Sequence, residues 1–112
     1  MSANRRRGEI DAEFDDKRYR LCLTLGALAE LEASYAADDL AALVTRFSSG
    51  KLSASDLIRI IGSGLRGAGN AIADDEVATM QCPGGVAGFA EVAAELLAVT
   101  FGTGKADPSP NP

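Results

Sequence analysis

The chain has 112 residues, which suggests one domain, and its 46% hydrophobic and 24% charged residues are ordinary for a globular protein. Its net charge of −5 argues against nucleic acid as a main partner, and the absence of histidine removes the commonest general base and metal ligand. Cys22 and Cys82 form no zinc-like group, and no apolar run is long enough to span a membrane. We therefore expect a cytoplasmic protein with reduced thiols.

Two alternating segments predict a β-hairpin over residues 8–23. Alternate side chains are apolar from Ile10 to Phe14 and again from Tyr19 to Leu23. A two-residue turn at Asp15-Asp16 and a four-residue loop from Asp15 to Arg18 both keep this parity, so the sequence leaves the register open. The two-residue turn pairs Glu13 with Arg18, Asp11 with Arg20, Ala12 with Tyr19 and Ile10 with Leu21.

A first helix is predicted from Leu25 to about Tyr35, with Thr24 as its cap. Its predicted core positions are Leu25, Leu28, Leu31 and Tyr35. Glu32 falls within the same arc, whereas Glu30 points away. A carboxylate on an apolar face needs a partner or a place at the rim, which makes Glu32 a candidate contact.

Three further short helices are predicted before Pro83. Asp38 or Asp39 caps the first, the Ser53–Asp56 capping signature begins the second, and Asp74 caps the third. Their apolar positions are Leu40, Leu43, Val44 and Phe47, then Leu57, Ile58, Ile60, Ile61 and Leu65, and finally Val77 and Met80.

The last helix, about Val86 to Phe101, is the most apolar, and Glu91 and Glu95 hold its narrow polar side. Such a helix is either central to the core or offers a second apolar edge to a partner chain. The small size of the domain favours the core role. The apolar positions are Val86, Phe89, Ala90, Val92, Ala93, Leu96, Leu97, Val99 and Phe101.

Together these patterns predict a mostly helical α+β fold in a single domain over residues 8–102. A hairpin over 8–23 is followed by four to five short helices over 25–101. Residues 1–7 are predicted to be a disordered leader, and the proline-rich residues 103–112 a disordered tail.

The segment Gly62–Gly67 matches the letters G-x-G-x-x-G of dinucleotide-binding loops. That function needs a strand before the glycines, but the preceding run carries a helix cap and a helical apolar arc. The pattern favours a helix in which Gly64 and Ala68 permit close packing and Gly67 or Gly69 ends the element.

No catalytic, cofactor-binding or metal-binding residue is assigned, and we expect neither an enzyme nor a bound cofactor. The paired carboxylates occupy turn and cap positions, where such residues belong without catalysis. Cys22 and Cys82 are interpreted as packing residues. The candidate partner contacts are charges on the helices: Glu32, Arg59, Arg66, Glu91 and Glu95.

Several segments, in order, carry a family resemblance. They are Arg7-Gly8-Glu9-Ile10, Leu23 to Glu32, Asp38-Asp39-Leu40, Gly50-Lys51-Leu52-Ser53, Asp56-Leu57, Gly64-Leu65-Arg66-Gly67-Ala68-Gly69 and Asp75-Glu76-Val77. On these residues the chain resembles the "gene product ten" family of alphaproteobacterial gene transfer agents. Its members are described as phage tail tube proteins and grouped with tail assembly chaperones.

The resemblance implies a non-enzymatic role in building a phage-like tail, with tape-measure and tail tube subunits as partners. The chain would act either as a tail assembly chaperone or as a minor component of the tube, and it could form a homo-oligomer. It would be cytoplasmic or, as a tube component, associated with the particle. The single visible hairpin favours the chaperone. The alternative from another class is a small helical adaptor or regulatory module that binds a partner protein.

Overall fold

The computed structural model describes residues 4–35, 42, 43, 45, 46 and 49–101. An N-terminal hairpin is followed by helices, which confirms the predicted α+β class. In chain order the elements are a 3-10 turn (Arg5–Arg7), strands β1 (Glu9–Phe14) and β2 (Lys17–Cys22), and helices α1 (Leu25–Ala33), α2 (Ala54–Gly67), α3 (Asp74–Val77) and α4 (Gly85–Phe101).

Some sequence predictions lie outside the described residues. They are the cap at Asp38 or Asp39, the apolar positions Leu40, Val44 and Phe47, and the tail over 103–112. Leu43 and Arg46 are described, both in helical conformation, between α1 and α2. Residues 5–7, which fall in the predicted leader, form the 3-10 turn, with the Asn4 side chain accepting a hydrogen bond from the Arg6 backbone.

The hairpin has the two-residue turn, so the open question of its register is resolved. Asp15 and Asp16 adopt φ values of 55° and 65°, the left-handed conformation that a tight hairpin turn requires and that Asp tolerates. Asp15 also exchanges two hydrogen bonds with Gln81: its N–H donates to the Gln81 carbonyl at 2.8 Å, and its side chain accepts from the Gln81 N–H at 2.9 Å. The turn is thereby fixed to the segment that leads into α4.

The apolar face of the hairpin packs on two helices, α2 beside β2 and α4 beside β1. Phe14 is fully buried and stacks on Phe89 of α4, with ring centroids 5.5 Å apart. The alternation seen in the sequence therefore places one face of each strand in the core. The other fully buried large apolar residues are Ile10, Leu21, Ile60, Ile61, Leu65 and Leu96.

The predicted core face of α1 is wrong at one position. Leu25 is 85% exposed, whereas Ala27, Leu31 and Tyr35 are buried and Leu28 is partly buried. The buried stripe follows a spacing of four residues, and Ala27 is the residue of α1 that approaches Gly67 of α2. The predicted cap is confirmed, because the Thr24 hydroxyl accepts from the Ala27 N–H at 3.1 Å.

The predicted cap of α2 is confirmed, but the predicted cap of α3 is wrong. Ser53 and Asp56 form the predicted reciprocal capping box. Asp74, however, is the first residue of α3 and not its cap, which is Ala73. The Glu76 side chain accepts a hydrogen bond from the Ala73 N–H, while the Asp74 carboxylate is paired with an arginine.

The glycine-rich segment is part of continuous helix α2, so the strand needed for a dinucleotide-binding loop is not there. A Cβ atom on Gly64 would lie 2.5 Å from Leu96 Cδ2 of α4, and one on Gly67 would lie 2.1 Å from the Cys22 carbonyl oxygen of β2. These contacts confirm close packing at Gly64 and show that Gly67 brings α2 against the strand. α2 ends at Gly67, and Gly69 turns the chain with φ +98°.

Candidate functional site

An apolar groove with a volume of about 160 Å³ lies between α2, α3 and α4. Its floor is buried and its walls are partly or largely exposed. The lining residues, called the groove below, are Ala54, Leu57, Ile58, Ile61, Val77, Ala78, Val86 and Phe89. A larger and more polar hollow of about 380 Å³ lies beside the hairpin turn, lined by Asp15, Asp16, Gln81, Cys82 and Pro83.

The groove lies at the N-terminal end of α4, where the described residues leave Val86 largely uncovered. Only Gly88, Ala93, Leu96 and Leu97 of α4 are buried, whereas Val86 is 74% and Phe101 59% exposed. The prediction that this helix serves the core is therefore right for one face and wrong for Val86 and Phe101. The reason is position along the helix: Val86 lies on the same stripe as buried Ala93 and Leu97 but in the first turn, and Phe101 is the last residue of α4.

A polar cluster at the N-terminal end of α2 joins this helix to the residues after α1 and to the segment between the two helices. Asp56 is 2% exposed, yet its carboxylate accepts hydrogen bonds from Tyr35 Oη at 2.6 Å and from Arg46 Nε and Nη2 at 2.7 and 2.8 Å. The Ser53 N–H adds a fourth bond at 2.9 Å. We call Tyr35, Arg46, Ser53 and Asp56 the Asp56 clasp.

The clasp holds its carboxylate in the charged form. Burial raises the pKa of Asp56, but the hydrogen bonds, led by those from Arg46, outweigh it and place the pKa well below its usual range. Burial and the bond to Asp56 raise the pKa of Tyr35 to about 12, so the phenol remains a donor. The arrangement is a satisfied buried network, which fits a structural role.

Arg66 occupies a second junction, where α2 meets α1 and the start of α3. Its Nη2 lies 2.6 Å from Glu30 Oε2, its Nη1 donates to the Ile72 carbonyl at 2.8 Å, and the same Nη1 lies 3.0 Å from Asp74 Oδ1. Glu30, followed by Asp74, raises the pKa of Arg66. The structure thus gives this candidate contact residue three partners within its own chain.

The other four candidate contact residues belong to three helices, and two of them, Glu91 and Glu95, lie one turn apart on the same side of α4. Glu32 and Glu91 are exposed, while the guanidinium of Arg59 lies over the Tyr35 ring, 4.6 Å from its centroid. Glu95 forms an ion pair with Arg5 of the 3-10 turn. The role of the five residues in partner binding remains a prediction.

Both cysteines are half-buried and form no disulfide, and the pKa of each thiol is raised, which favours the unreactive thiol form. Burial and, after it, the charge of Glu9 raise the pKa of Cys22. Burial, then Glu13 and Glu91, raise the pKa of Cys82. A raised pKa lowers the thiolate fraction at neutral pH, which agrees with their interpretation as packing residues.

Within residues 4–35 and 49–101 and the four described positions between them, no three His, Cys, Asp or Glu side chains are placed to hold a metal ion. The same part of the chain contains no helix that is both long and apolar enough to cross a membrane.

The sequence predicted neither the Asp56 clasp nor the groove. Asp56 was recognised only as a cap, because its partners Tyr35 and Arg46 are 21 and 10 residues away. The groove was missed because periodicity shows which residues are apolar but not which neighbours cover them. The excess of apolar residues around α4 was the signal that could have found it.

The fold and the groove define a small α+β domain with an apolar groove between three of its helices. The profile of the family described as "Phage tail tube protein, GTA-gp10" matches residues 7–103. The chain belongs to this family, which is one of structural tail proteins and not an enzyme family. Comparisons with curated proteins and with solved structures each find no match.

Proposed function

We propose that this chain is a tail assembly chaperone of a gene transfer agent, which binds the tape-measure protein and tail tube subunits while the tail is built. The family match supports the setting, a phage-like tail of the gene transfer agent type. The observation that carries the choice of chaperone is the small sheet: in the described residues it has two strands of six residues each.

A subunit that closes a tube through continuous β-sheet needs strands that pair with those of its neighbours. Here β2 faces the end of α2 and the residues after it: Gly67 approaches the Cys22 carbonyl, and Asn70 donates to the Arg20 carbonyl at 2.9 Å. These contacts occupy one edge of the hairpin. The sheet is thus suited to supporting the helices rather than to forming a wall.

The exposed apolar groove is a second observation in favour of a protein that binds its partners transiently. An exposed apolar surface between helices is suited to an amphipathic helix of a partner. A chaperone has to cover such segments until assembly is complete and then release them, which agrees with a groove of modest size.

The test is co-expression of the chain with the tape-measure and tail tube proteins encoded in the same tail gene cluster, followed by affinity purification. We expect the tape-measure protein to co-purify with the chain before assembly. Failure to retain either protein would refute the chaperone function. Recovery of the chain as a regular component of finished particles would favour the minor tube component instead.

A further inference from the structure

We propose that the outer edge of β1, the edge that faces away from β2, is the docking site for an edge strand of the tail tube subunit with basic residues on its solvent-facing side. This inference rests on the proposed function and adds to it a surface and the chemistry of one partner. A subunit that joins its neighbours through strand pairing presents open strand edges until the tube is built, and a chaperone has to cover them.

The backbone geometry of β1 defines its outer edge. The sheet in the described residues has two strands, so β1 pairs with β2 along one edge. The N–H groups of Glu9 and Asp15 point away from β2, because the first donates to the Asn4 carbonyl at 3.0 Å and the second to the Gln81 carbonyl at 2.8 Å. Since backbone groups alternate between the two edges of a strand, the N–H and the carbonyl of Glu13 also point outwards.

Glu13 leaves the outer edge open between these two fixed ends. Neither its N–H nor its carbonyl has a hydrogen-bond partner in the part of the chain that the structure describes, and the residue is exposed. A segment laid along β1 would supply both partners, as in the addition of a strand to a sheet edge. The opening is short because Glu9 and Asp15 are already engaged, so side-chain contacts have to contribute to the affinity.

The charges beside this edge indicate the sign of the partner. The solvent-facing side chains of β1 are all acidic: Glu9, Asp11 and Glu13. Glu9 and Asp11 form ion pairs with arginines of the 3-10 turn and of β2. Glu13 forms no ion pair within residues 4–35 and 49–101 or with the four described positions between them.

Glu91 of α4 adds a second negative charge close to Glu13. Both carboxylates raise the pKa of the Cys82 thiol, so both lie near that side chain. Glu91 is exposed and, like Glu13, has no ion pair within the described residues. A lysine or arginine opposite Glu13 on the solvent-facing side of an added strand would therefore be attracted by two carboxylates.

A second copy of this chain is disfavoured as the occupant. Pairing of β1 with β1 of another copy would set acidic side chains opposite acidic side chains, which is destabilising. The outer edge of β2 is not available either, because Gly67 approaches the Cys22 carbonyl and Asn70 donates to the Arg20 carbonyl. The charge pattern thus favours a strand of different composition, with basic residues at the solvent-facing positions.

The chemistry can be tested with two synthetic peptides of about eight residues, in which valine alternates with lysine or with glutamate. Binding is followed by NMR, and the hydrogen exchange rate of the Glu13 amide is the local readout. We expect the lysine peptide to bind more tightly, to weaken as salt increases, and to slow the exchange of the Glu13 amide, which becomes hydrogen-bonded. The amides of Ala12 and Phe14, which face β2, should change little.

Two variants of Glu13 separate the backbone contact from the charge. Glu13→Pro removes an N–H that β2 does not use, so the hairpin keeps its own hydrogen bonds, and urea denaturation checks that the variant folds. It should weaken binding of the lysine peptide about tenfold, since the edge can no longer pair. Glu13→Gln keeps the N–H and should weaken binding only about twofold. Glu32→Gln, which removes an exposed charge of α1, should leave binding unchanged.

Binding of both peptides with equal affinity, absence of binding, or unchanged exchange of the Glu13 amide would overturn the proposed edge contact. Concentration-dependent dimerisation that Glu13→Pro abolishes would also overturn it, in favour of a second copy. The proposed function is judged separately by retention of the tape-measure protein, which Glu13→Pro should leave intact while the tube subunit is lost. If Glu13→Pro retains the tube subunit as well as the parent chain does, the function stands and the edge of β1 is not its docking site.

Discussion

Replacing Asp56 by asparagine should destabilise the fold more than any other isosteric change of a charged side chain described here. The substitution keeps the shape of the side chain but removes the charge that accepts hydrogen bonds from Tyr35, Arg46 and Ser53. Since the new amide N–H₂ is a donor, it would face donors of the clasp. The junction between α1 and α2 would thus lose charge-assisted hydrogen bonds, and the new amide would be left facing other hydrogen-bond donors.

The expected loss of stability depends on how deeply Asp56 and Arg46 are buried. A hydrogen bond to a charged group contributes about 1.5–3 kcal/mol, and breaking a fully buried ion pair costs about 3–5 kcal/mol. Asp56 is buried, but the Arg46 side chain is 33% exposed and can recover water when its partner is lost. We therefore expect a decrease in the free energy of unfolding of about 2–3 kcal/mol.

The assay is urea denaturation at several pH values. Because the pKa of Asp56 is lower in the folded state than in the unfolded state, its contribution is complete above the unfolded pKa of about 3.9. The contribution is lost as pH falls below that value towards the folded pKa. The difference between the parent chain and Asp56→Asn should be constant from about pH 7 to 5 and should narrow below about pH 4.

Asp75→Asn is the matched control, since Asp75 is also an aspartate in the first turn of a helix but is exposed and forms no ion pair within the described part of the chain. It should change the free energy of unfolding by less than about 0.5 kcal/mol. Equal effects of the two substitutions, or a difference between the parent and Asp56→Asn that persists unchanged at pH 2, would refute the reasoning about the clasp.

Two comparisons of urea denaturation midpoints test the packing around α1 and α2. Gly67→Ala should cost about 1–3 kcal/mol because its Cβ would lie 2.1 Å from the Cys22 carbonyl oxygen, whereas Gly26→Ala, with no atom within 4 Å, should be neutral or stabilising. Equal midpoints for these two variants would contradict the close approach of α2 to the strand. Leu31→Ala should cost about 3 kcal/mol and Leu25→Ala less than about 0.5 kcal/mol, since the residues are 4% and 85% exposed. A large loss for Leu25→Ala would place that residue in a contact that the structure does not show.

Local patterns explain the parts of the fold that the sequence predicted. Alternation fixed which faces of β1 and β2 are buried, and the short side chains of Thr24 and Ser53 marked helix starts because they can accept backbone hydrogen bonds. The sequence could not distinguish the two-residue turn at Asp15-Asp16 from a four-residue loop, because both place the same side chains on the buried face of the hairpin.

The errors concern contacts that depend on tertiary geometry. Leu25 belongs to the apolar arc of α1, but it lies in the first turn and remains exposed, while the smaller Ala27 is buried. Asp74 was predicted as a cap because cap preference ignores its ion pair with Arg66, in the last turn of α2. In both cases the packing of neighbouring helices decides the role of the residue, and periodicity carries no information about that packing.

The relative abundance of the chain in purified gene transfer agent particles tests the central claim most directly. Quantitative mass spectrometry gives its molar ratio to the tail tube subunit. A chaperone that leaves after assembly should be absent or present only in traces, while it is readily found in lysates of producing cells. A fixed, substantial ratio to the tube subunit in finished particles would contradict the chaperone function and identify the chain as a structural component of the tail.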